Sequence, residues 1–227
     1  MSISWSVFDV IGPVMIGPSS SHTAGACRLG YMAQAINGKF KKVDIYLHGS
    51  FAEVYEGHCT DVAIVAGVLQ MDSFDKRLEK SFELAKEKEI EYNIIPTDLG
   101  EGLHPNTVKL VFDDNETRSV TGSSIGGGKA VINFIGKIPV SISLEHSTLL
   151  IHFGHGIIKP KEVIDKVNSL SKNIVNITTG QYKDYSILTI EVREWFTPAD
   201  LAQIEAIEGV NWTKFINHLS NFVNIED

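Results

Sequence analysis

A chain of 227 residues is long enough for one large domain or two small ones, and its hydrophobic fraction of 43% and charged fraction of 21% are typical of a globular protein. The net charge of -8 at pH 7 argues against nucleic acid or an anionic membrane as a partner, and no apolar run approaches the ~20 residues that span a bilayer. Since no Lys or Arg precedes Arg28, a signal peptide is not expected and a cytoplasmic location is predicted.

The first half of the chain is predicted to alternate between helices and strands. Small or apolar residues dominate two segments, and apolar positions recur at spacings of three and four in a third, so helices are predicted at residues 23–36, 60–69 and 75–88. Strands are predicted at residues 42–47, 91–95, 107–112, 117–121 and 130–135. The turn signals between them favour a mostly antiparallel sheet with helices on one side.

The second half predicts a different order of elements, β-α-β-β-α-β, which is that of the ferredoxin-like unit. Thr197 is expected to cap the second helix, with Pro198 at its first position. The predicted elements are the strand 148–153, the helix 160–170, the strands 174–182 and 186–192, the helix 197–207 and the strand 210–216. The predicted fold class is therefore α+β, with a mixed α/β domain at residues 1–140 and a ferredoxin-like domain at residues 147–220.

The segment Gly-Pro-Ser-Ser-Ser-His-Thr, residues 17–23, is the most informative part of the chain. Its hydroxyl groups and the free N–H groups of a helix N-terminus can bind an anion, and His22 can titrate near neutral pH. The alternative is an ordinary turn followed by a helix cap, because Gly, Pro and Ser dominate both.

Two shorter segments also carry histidine. In Gly-His-Cys-Thr-Asp, residues 57–61, His58 lies at a predicted loop-to-helix junction, where a lone histidine more often caps a backbone carbonyl than takes part in catalysis. In His-Pro-Asn, residues 104–106, the pattern indicates a turn before a strand, although it also places an imidazole and a carboxamide on one loop.

A fourth segment, Gly-Ser-Ser-Ile-Gly-Gly-Gly at residues 122–128, is predicted to be a loop between strands. Three successive glycines favour close approach of the backbone to a carboxylate or phosphate, with Ser123 and Ser124 as donors; a flexible loop is the alternative. Taken together, the four segments predict a small-anion site, with a carboxylate as the favoured ligand and one or two histidines for proton transfer.

The cysteines limit the metal chemistry that this chain is expected to support. Cys27 and Cys59 lie far apart, so free thiols are predicted. Two such thiols cannot by themselves hold zinc or an iron–sulfur cluster in the usual four-ligand way, and no metal site is predicted in this chain.

The four segments, in this order, resemble the motifs of the iron–sulfur-dependent L-serine dehydratases (L-serine ammonia-lyases). The chain resembles the separate β subunit of that family over essentially its whole length. Residues 1–140 are similar to the family's β domain, which is akin to the allosteric substrate-binding domain of some phosphoglycerate dehydrogenases. The C-terminal part resembles an ACT domain.

This resemblance implies the deamination of L-serine to pyruvate and ammonia. It also implies a four-iron four-sulfur (4Fe-4S) cluster whose open iron takes the substrate hydroxyl and carboxylate and acts as a Lewis acid. The cluster cysteines lie in the family's α subunit, so the resemblance implies an α-subunit partner without which the enzyme is incomplete. The two unpaired cysteines of this chain agree with that expectation.

By the same resemblance, His22 and His58 are expected to transfer the proton or to orient the substrate. Cys59 stands where some relatives carry a second histidine, so a paired-histidine role is not carried over to it. Residues 154–156, Gly-His-Gly, stand where ACT domains of the family often carry an amino-acid-binding turn. The residues expected to hold the substrate carboxylate and amino group are Ser20, Ser21, Thr23, Asn106, Ser124, Gly126 and Gly127.

Two other functions remain open from the sequence. The chain can be a regulatory module that binds serine without direct catalysis, or an anion-binding enzyme unrelated to serine. Without its α subunit, the chain is expected to form a homodimer through the surface meant for that partner.

Overall fold

The division between the two parts of the fold lies between Ile132 and Asn133. The fold is known from a computed structural model, which describes residues 15–154 and 160–218. Within those ranges, no helix has both the length and the apolar character needed to cross a bilayer.

The structure describes four α-helices in the first part. They are α1 (Ala26–Asn37), α2 (Ser50–Val54), α3 (Thr60–Val68) and α4 (Ser81–Glu87). A π-helical turn, Ser20–Gly25, leads directly into α1, and a 3-10 turn, Leu78–Lys80, leads into α4. π-helical turns are rare and are frequently found at functional sites, so the first of these turns marks residues 20–25 for attention.

The sheet of the first part brings several strand ends to one edge. Five strands of this six-stranded sheet are β1 (Lys42–His48), β2 (Glu91–Pro96), β3 (Thr107–Phe112), β4 (Asn115–Gly126) and β5 (Lys129–Ile135), in the spatial order β2-β1-β3-β4-β5. β1 is parallel to β2 and antiparallel to β3, which is antiparallel to β4. Thr107 at the start of β3 lies opposite both His48 and Ser123, so β1 and β4 end at the edge where β3 begins.

Helices α1 and α3 cross at a very short distance because each presents a glycine. A Cβ on Gly30 would lie 2.3 Å from the Ile64 carbonyl oxygen, and a Cβ on Gly67 would lie 2.0 Å from the Cys27 carbonyl oxygen. Only glycine permits this approach of two helix backbones. The crossing fixes α1 and α3, the two helices that directly follow the histidine motifs.

The second part has the predicted order of elements. After β6 (Ile138–Ile142), it consists of β7 (Ser147–Phe153), α5 (Pro160–Ser169), β8 (Ile174–Tyr182), β9 (Tyr185–Val192), α6 (Pro198–Glu205) and β10 (Val210–Ile216). The four strands from β7 onwards form an antiparallel sheet in the order β10-β7-β9-β8. Thr197 caps α6 and accepts a hydrogen bond from the Asp200 N–H, as its position predicted.

Three predictions about local structure are wrong. Residues 75–88 do not form one helix, because α4 begins only at Ser81, after the 3-10 turn. Residues 20–22 lie within a helical turn and not before one. Residues 122–126 are not a loop, because β4 continues to Gly126, and Gly122 and Ser123 pair with β3. In that last case the ladder of backbone hydrogen bonds overrides the low strand propensity of glycine.

Two elements have no counterpart among the predictions. Helix α2 contains five residues, too few to show a helical period in the sequence. β6 crosses the predicted end of the first domain at residue 140. The mostly antiparallel first sheet, the helix at residues 60–69 and the strands of the second half are confirmed.

Candidate functional site

The predicted motifs meet at the edge of the first sheet where β1 and β4 end and β3 begins. His22 belongs to the π-helical turn, and His58 immediately precedes Cys59, the residue that caps α3. Asn106 directly precedes β3, and Ser124 lies near the end of β4. Segments that are far apart in the sequence therefore share one region of the molecule.

His22 is held on three sides. Its Nε2 lies 3.2 Å from the Ser50 hydroxyl, and its Nδ1 lies 3.4 Å from the Ser19 hydroxyl. The ring of Phe51 meets it edge to face, with 5.2 Å between the centroids. Ser19 also accepts a hydrogen bond of 3.2 Å from the His22 backbone N–H, as a helix cap does. The cap interpretation of this segment is thus correct, and it coexists with an ordered imidazole.

His58 lies against His22, with 5.0 Å between the ring centroids. Its Nδ1 is 3.3 Å from the Val54 carbonyl oxygen, so the expected contact with a backbone carbonyl is present. Thr23 is fully buried, and its hydroxyl donates to the His58 carbonyl oxygen at 3.4 Å. Cys59 has φ of 56°, in the left-handed region that L-residues seldom adopt. The structure thus brings His22, Thr23 and His58 together.

The protonation of His22 is disfavoured by its surroundings. Burial lowers the pKa of His22, the adjacent His58 lowers it further, and hydrogen bonding to the Ser50 backbone opposes both effects. The imidazole is therefore neutral at neutral pH, which is the form that can accept a proton.

Ser124 supplies a buried hydroxyl to the same region. It is fully buried, and its Oγ is without a hydrogen-bond partner, while its N–H donates to the Asn106 carbonyl oxygen at 2.9 Å. A Cβ on Gly25 would lie 2.1 Å from Ser124 Oγ, so the end of the π-helical turn packs directly on this serine. An unpaired buried hydroxyl is unusual in a native protein and indicates a place for a polar ligand or water.

The glycine-rich segment contributes less than predicted. Gly126 has φ of 104°, and a Cβ there would meet no atom within 4 Å, so open space lies on that side of the residue. Gly127 has φ of 61° in the exposed turn after β4. The Ser123 hydroxyl bonds the Thr107 hydroxyl at 2.8 Å instead of facing a ligand. Ser124, Gly126 and Gly127 therefore stay the predicted binding residues of this segment.

The other predicted residues lie in different parts of the chain. Ser20 and Ser21 are half-buried in the π-helical turn. His104 accepts a hydrogen bond of 3.1 Å from the Asn106 N–H, which confirms the predicted turn at residues 104–106. His155 and Gly156, in the segment compared with the ACT turn, lie outside the described residues.

Sequence reasoning missed Ser50 and Phe51, which contact His22 directly. Both follow Gly49, which has φ of 57° and whose Cβ position is 2.7 Å from the Pro105 carbonyl oxygen. A glycine followed by a serine after a clear strand is a turn and helix-start signal, and it could have drawn attention to this segment.

The residues of this chain do not fit an iron–sulfur cluster. Within residues 15–154 and 160–218, no three His, Cys, Asp or Glu side chains gather as metal ligands. Cys27 is buried, burial raises the pKa of its thiol, and the thiol donates to the Met71 carbonyl oxygen at 3.3 Å. Cys59 is half-buried and free. A cluster needs several thiolates in one place.

Comparisons with known proteins agree on one family. The sequence model of the serine dehydratase beta chain family matches residues 6–133. A Peptoniphilus asaccharolyticus protein named L-serine dehydratase, beta chain, is 39% identical over 221 residues, which is 93% of this chain and 98% of that protein. A Bacillus subtilis (strain 168) protein named probable L-serine dehydratase, beta chain, is 44% identical over 148 residues, which is 64% of this chain and 67% of that protein. A Helicobacter pylori (strain J99) protein named L-serine dehydratase is 30% identical over 148 residues, which is 55% of this chain and 32% of that protein.

Proposed function

This chain belongs to the serine dehydratase beta chain family, and from that membership we propose that it is the β subunit of an L-serine dehydratase, which deaminates L-serine to pyruvate and ammonia. We propose further that a separate α subunit completes the enzyme and holds a 4Fe-4S cluster. The thiol arrangement supports this division, because Cys27 is buried and, among the described residues, Cys59 belongs to no group of three or more His, Cys, Asp and Glu side chains that could hold a metal.

The length of one relative supports the proposal that a second chain, the α subunit, completes the enzyme. The Helicobacter pylori protein named L-serine dehydratase aligns with this chain over only 32% of its own length. Most of that protein therefore has no counterpart in this chain. We propose that the unmatched part corresponds to the α subunit.

The contact between His22 and His58 is the observation that carries the proposal. Loss of ammonia from serine begins with removal of the proton on Cα, and a neutral imidazole near the substrate is suited to accept it. Burial and His58 keep His22 in that neutral form. We assign the proton transfer to this pair, in which either histidine can take part.

The remaining polar residues of the site would hold the substrate. The Ser124 hydroxyl is buried and lacks a partner, so it can bond the carboxylate without giving up another contact. The residues that we propose to bind L-serine are Ser20, Ser21, Thr23, Asn106, Ser124, Gly126 and Gly127, the last two through their backbone.

An exposed apolar side chain beside the site supports the proposal that an α subunit binds there. Ile125 follows the buried Ser124, yet 53% of its surface is exposed. Large apolar side chains of this kind are commonly covered at protein interfaces. We place the α subunit over Ile125, and the isolated chain would cover it by forming a homodimer.

The other parts of the proposal concern organisation and location. The β-α-β-β-α-β order supports an ACT-like domain at residues 147–220, following the β domain at residues 1–140. The two free cysteines suit a reducing compartment, which supports the cytoplasm.

Reconstitution tests the function. The purified chain alone should be colourless and inactive on L-serine, and addition of the α chain with an intact cluster should produce equal amounts of pyruvate and ammonia. Turnover by this chain alone, or none with the α chain present, would refute the proposal. Serine binding that alters an activity of the α chain, with no contribution to the chemical step, would favour the regulatory module instead.

A further inference from the structure

We infer that Ser50 is a positioning residue that holds His22 in the tautomer protonated on Nε2, so that Nδ1 is the ring nitrogen that takes up a proton in the reaction. Ser50 lies outside the four motifs, and its role is argued from contacts in the first part of the fold. The inference about turnover rests on the proposed function, whereas the inference about the tautomer does not.

The position of Ser50 is fixed by the turn between β1 and α2. Gly49 has φ of 57° and ψ of -127°, a conformation accessible essentially to glycine alone. Its Cβ position lies 2.7 Å from the Pro105 carbonyl oxygen, and the Phe51 N–H donates to that same oxygen at 3.4 Å. The turn before β3 therefore packs on residues 49–51. Ser50 cannot move away from His22 without breaking the contact of its neighbours with Pro105.

The ring of His22 is also fixed in orientation. Phe51 is fully buried and meets the imidazole edge to face at 5.2 Å between centroids. With the ring held in this way, Nε2 faces the Ser50 hydroxyl at 3.2 Å and Nδ1 faces the Ser19 hydroxyl at 3.4 Å. Each nitrogen therefore has one serine oxygen as its neighbour, and the position of the ring proton depends on which serine donates.

The Ser19 hydroxyl is the better donor of the two. Its oxygen already accepts a hydrogen bond of 3.2 Å from the His22 backbone N–H, and a hydroxyl that accepts one hydrogen bond becomes a stronger donor for the next. Ser19 O–H thus points to Nδ1, which leaves the ring proton on Nε2, where the Ser50 oxygen accepts it. Hydrogen bonding to the Ser50 backbone also favours a proton on this ring.

This arrangement leaves Nδ1 as the basic atom. Because the Ser19 O–H occupies the Nδ1 lone pair, the proton reaches Nδ1 through that hydroxyl: the Ser19 oxygen takes the proton from Cα of the substrate as it gives its own proton to Nδ1. His22 becomes an imidazolium, and the electron pair of the broken C–H bond stays with the substrate. In the imidazolium both ring nitrogens are donors, and each still faces a serine oxygen as acceptor. Ser50 therefore supports His22 both before and after the transfer without touching the substrate.

Nitrogen-15 NMR of the full-length chain tests the tautomer without any activity measurement. In the unmodified protein, the two ring nitrogens of His22 should show a proton on Nε2 and a lone pair on Nδ1 at a pH where the ring is neutral. A proton on Nδ1 would overturn the inference. Because this measurement needs no substitution, it remains decisive even if a variant does not fold.

Two serine variants extend the test. Ser50→Ala should shift His22 toward a mixture of tautomers. Ser81→Ala is the matched control, because it removes a buried hydroxyl that donates to the Val62 carbonyl oxygen at 2.9 Å in the same part of the fold and does not contact His22. Unchanged ring shifts in Ser50→Ala, or equal changes in both variants, would overturn the inference.

The reconstituted enzyme separates this inference from the proposed function. Ser50→Ala should lower kcat about tenfold with little change in KM, since a misplaced ring proton weakens proton transfer and not binding. A change in KM alone would contradict the positioning role. If the unmodified chain with its α subunit does not deaminate serine, the proposed function fails, while the NMR result still decides the tautomer.

Discussion

The imidazole rings of His22 and His58 lie 5.0 Å apart, with their planes inclined by 38°. Two cationic imidazoles at this distance would repel each other, so protonation of one disfavours protonation of the other. The Thr23 hydroxyl, which donates to the His58 carbonyl oxygen, links the same two segments through the backbone. The contact with His58 thus adds to burial in lowering the pKa of His22.

Removing either imidazole should slow turnover much more than it weakens binding. His22→Ala and His58→Ala should each lower kcat of the reconstituted enzyme by about 10²–10⁴-fold, the usual contribution of a general acid or base. Steady-state kinetics and serine binding by calorimetry measure the two effects separately. His146→Ala, in the second part of the fold, is the control and should retain full activity. Loss of binding with unchanged kcat at saturating serine would support a sensing role instead.

The pKa of His22 should depend on His58. His58→Gln keeps a side chain of similar length but removes the second titrating ring, so the pKa of His22 should rise toward its ordinary value of 6.5. An NMR pH titration of His22 in both proteins measures the change. Since burial is the larger cause, the pKa should remain below 6.5 in the variant. An unchanged pKa of His22 would show that the two rings are not electrostatically coupled.

The same depressed pKa predicts how stability varies with pH. The unfolded chain binds a proton at His22 near pH 6.5, whereas the folded chain does so only at lower pH. Between these two values the unfolded state holds more protons, so the free energy of unfolding should fall as the pH drops below 6.5. Urea unfolding at several pH values measures the slope, which His58→Gln should reduce. An equal slope in both proteins would contradict this assignment.

Gly25 should tolerate no side chain. In Gly25→Ala the new Cβ would lie 2.1 Å from Ser124 Oγ, and the overpacking should reduce the free energy of unfolding by about 1–3 kcal/mol. Gly57→Ala is the matched control, because its Cβ would meet its nearest atom, the Val54 carbonyl oxygen, at 3.9 Å. Urea denaturation compares the two. Equal stabilities would mean that the end of the π-helical turn does not pack on Ser124.

The two thiols should differ in reactivity. Cys27 is buried and burial raises the pKa of its thiol, whereas Cys59 is half-buried, so iodoacetamide should label Cys59 in the folded chain and spare Cys27. Mass spectrometry of the labelled peptides identifies the sites, and urea should expose both. Labelling of Cys27 at the rate of Cys59 in the folded protein would contradict the burial that the fold gives it.

Association with the α subunit should depend on Ile125. Ile125→Asp places a charge on the exposed apolar residue beside the site and should weaken complex formation at least tenfold if that residue is buried at the interface centre. Trp195→Asp is the control, because Trp195 is 52% exposed and lies in the second part of the fold. Analytical ultracentrifugation of mixtures measures both. Equal binding by the two variants would place the partner elsewhere.

Much of the fold could be predicted from the sequence because local patterns agree with it. The second part has alternating strands and a capped helix at Thr197, and its order of elements followed directly. One of the wrong predictions shows where local patterns fail. Residues 122–126 have the composition of a loop but belong to strand β4, where Gly122 and Ser123 pair with β3, and no local signal reports a partner strand.

The sequence by itself determined the residue types that the site needs: hydroxyls, imidazoles and a carboxamide in short segments. It could not determine which of them meet. Ser50 contacts His22 only because Gly49 reverses the chain after β1 against Pro105, and His58 contacts His22 only because α1 and α3 cross on paired glycines. Such contacts join residues distant in sequence and depend on packing, so only the tertiary structure decides which side chains the imidazole of His22 meets.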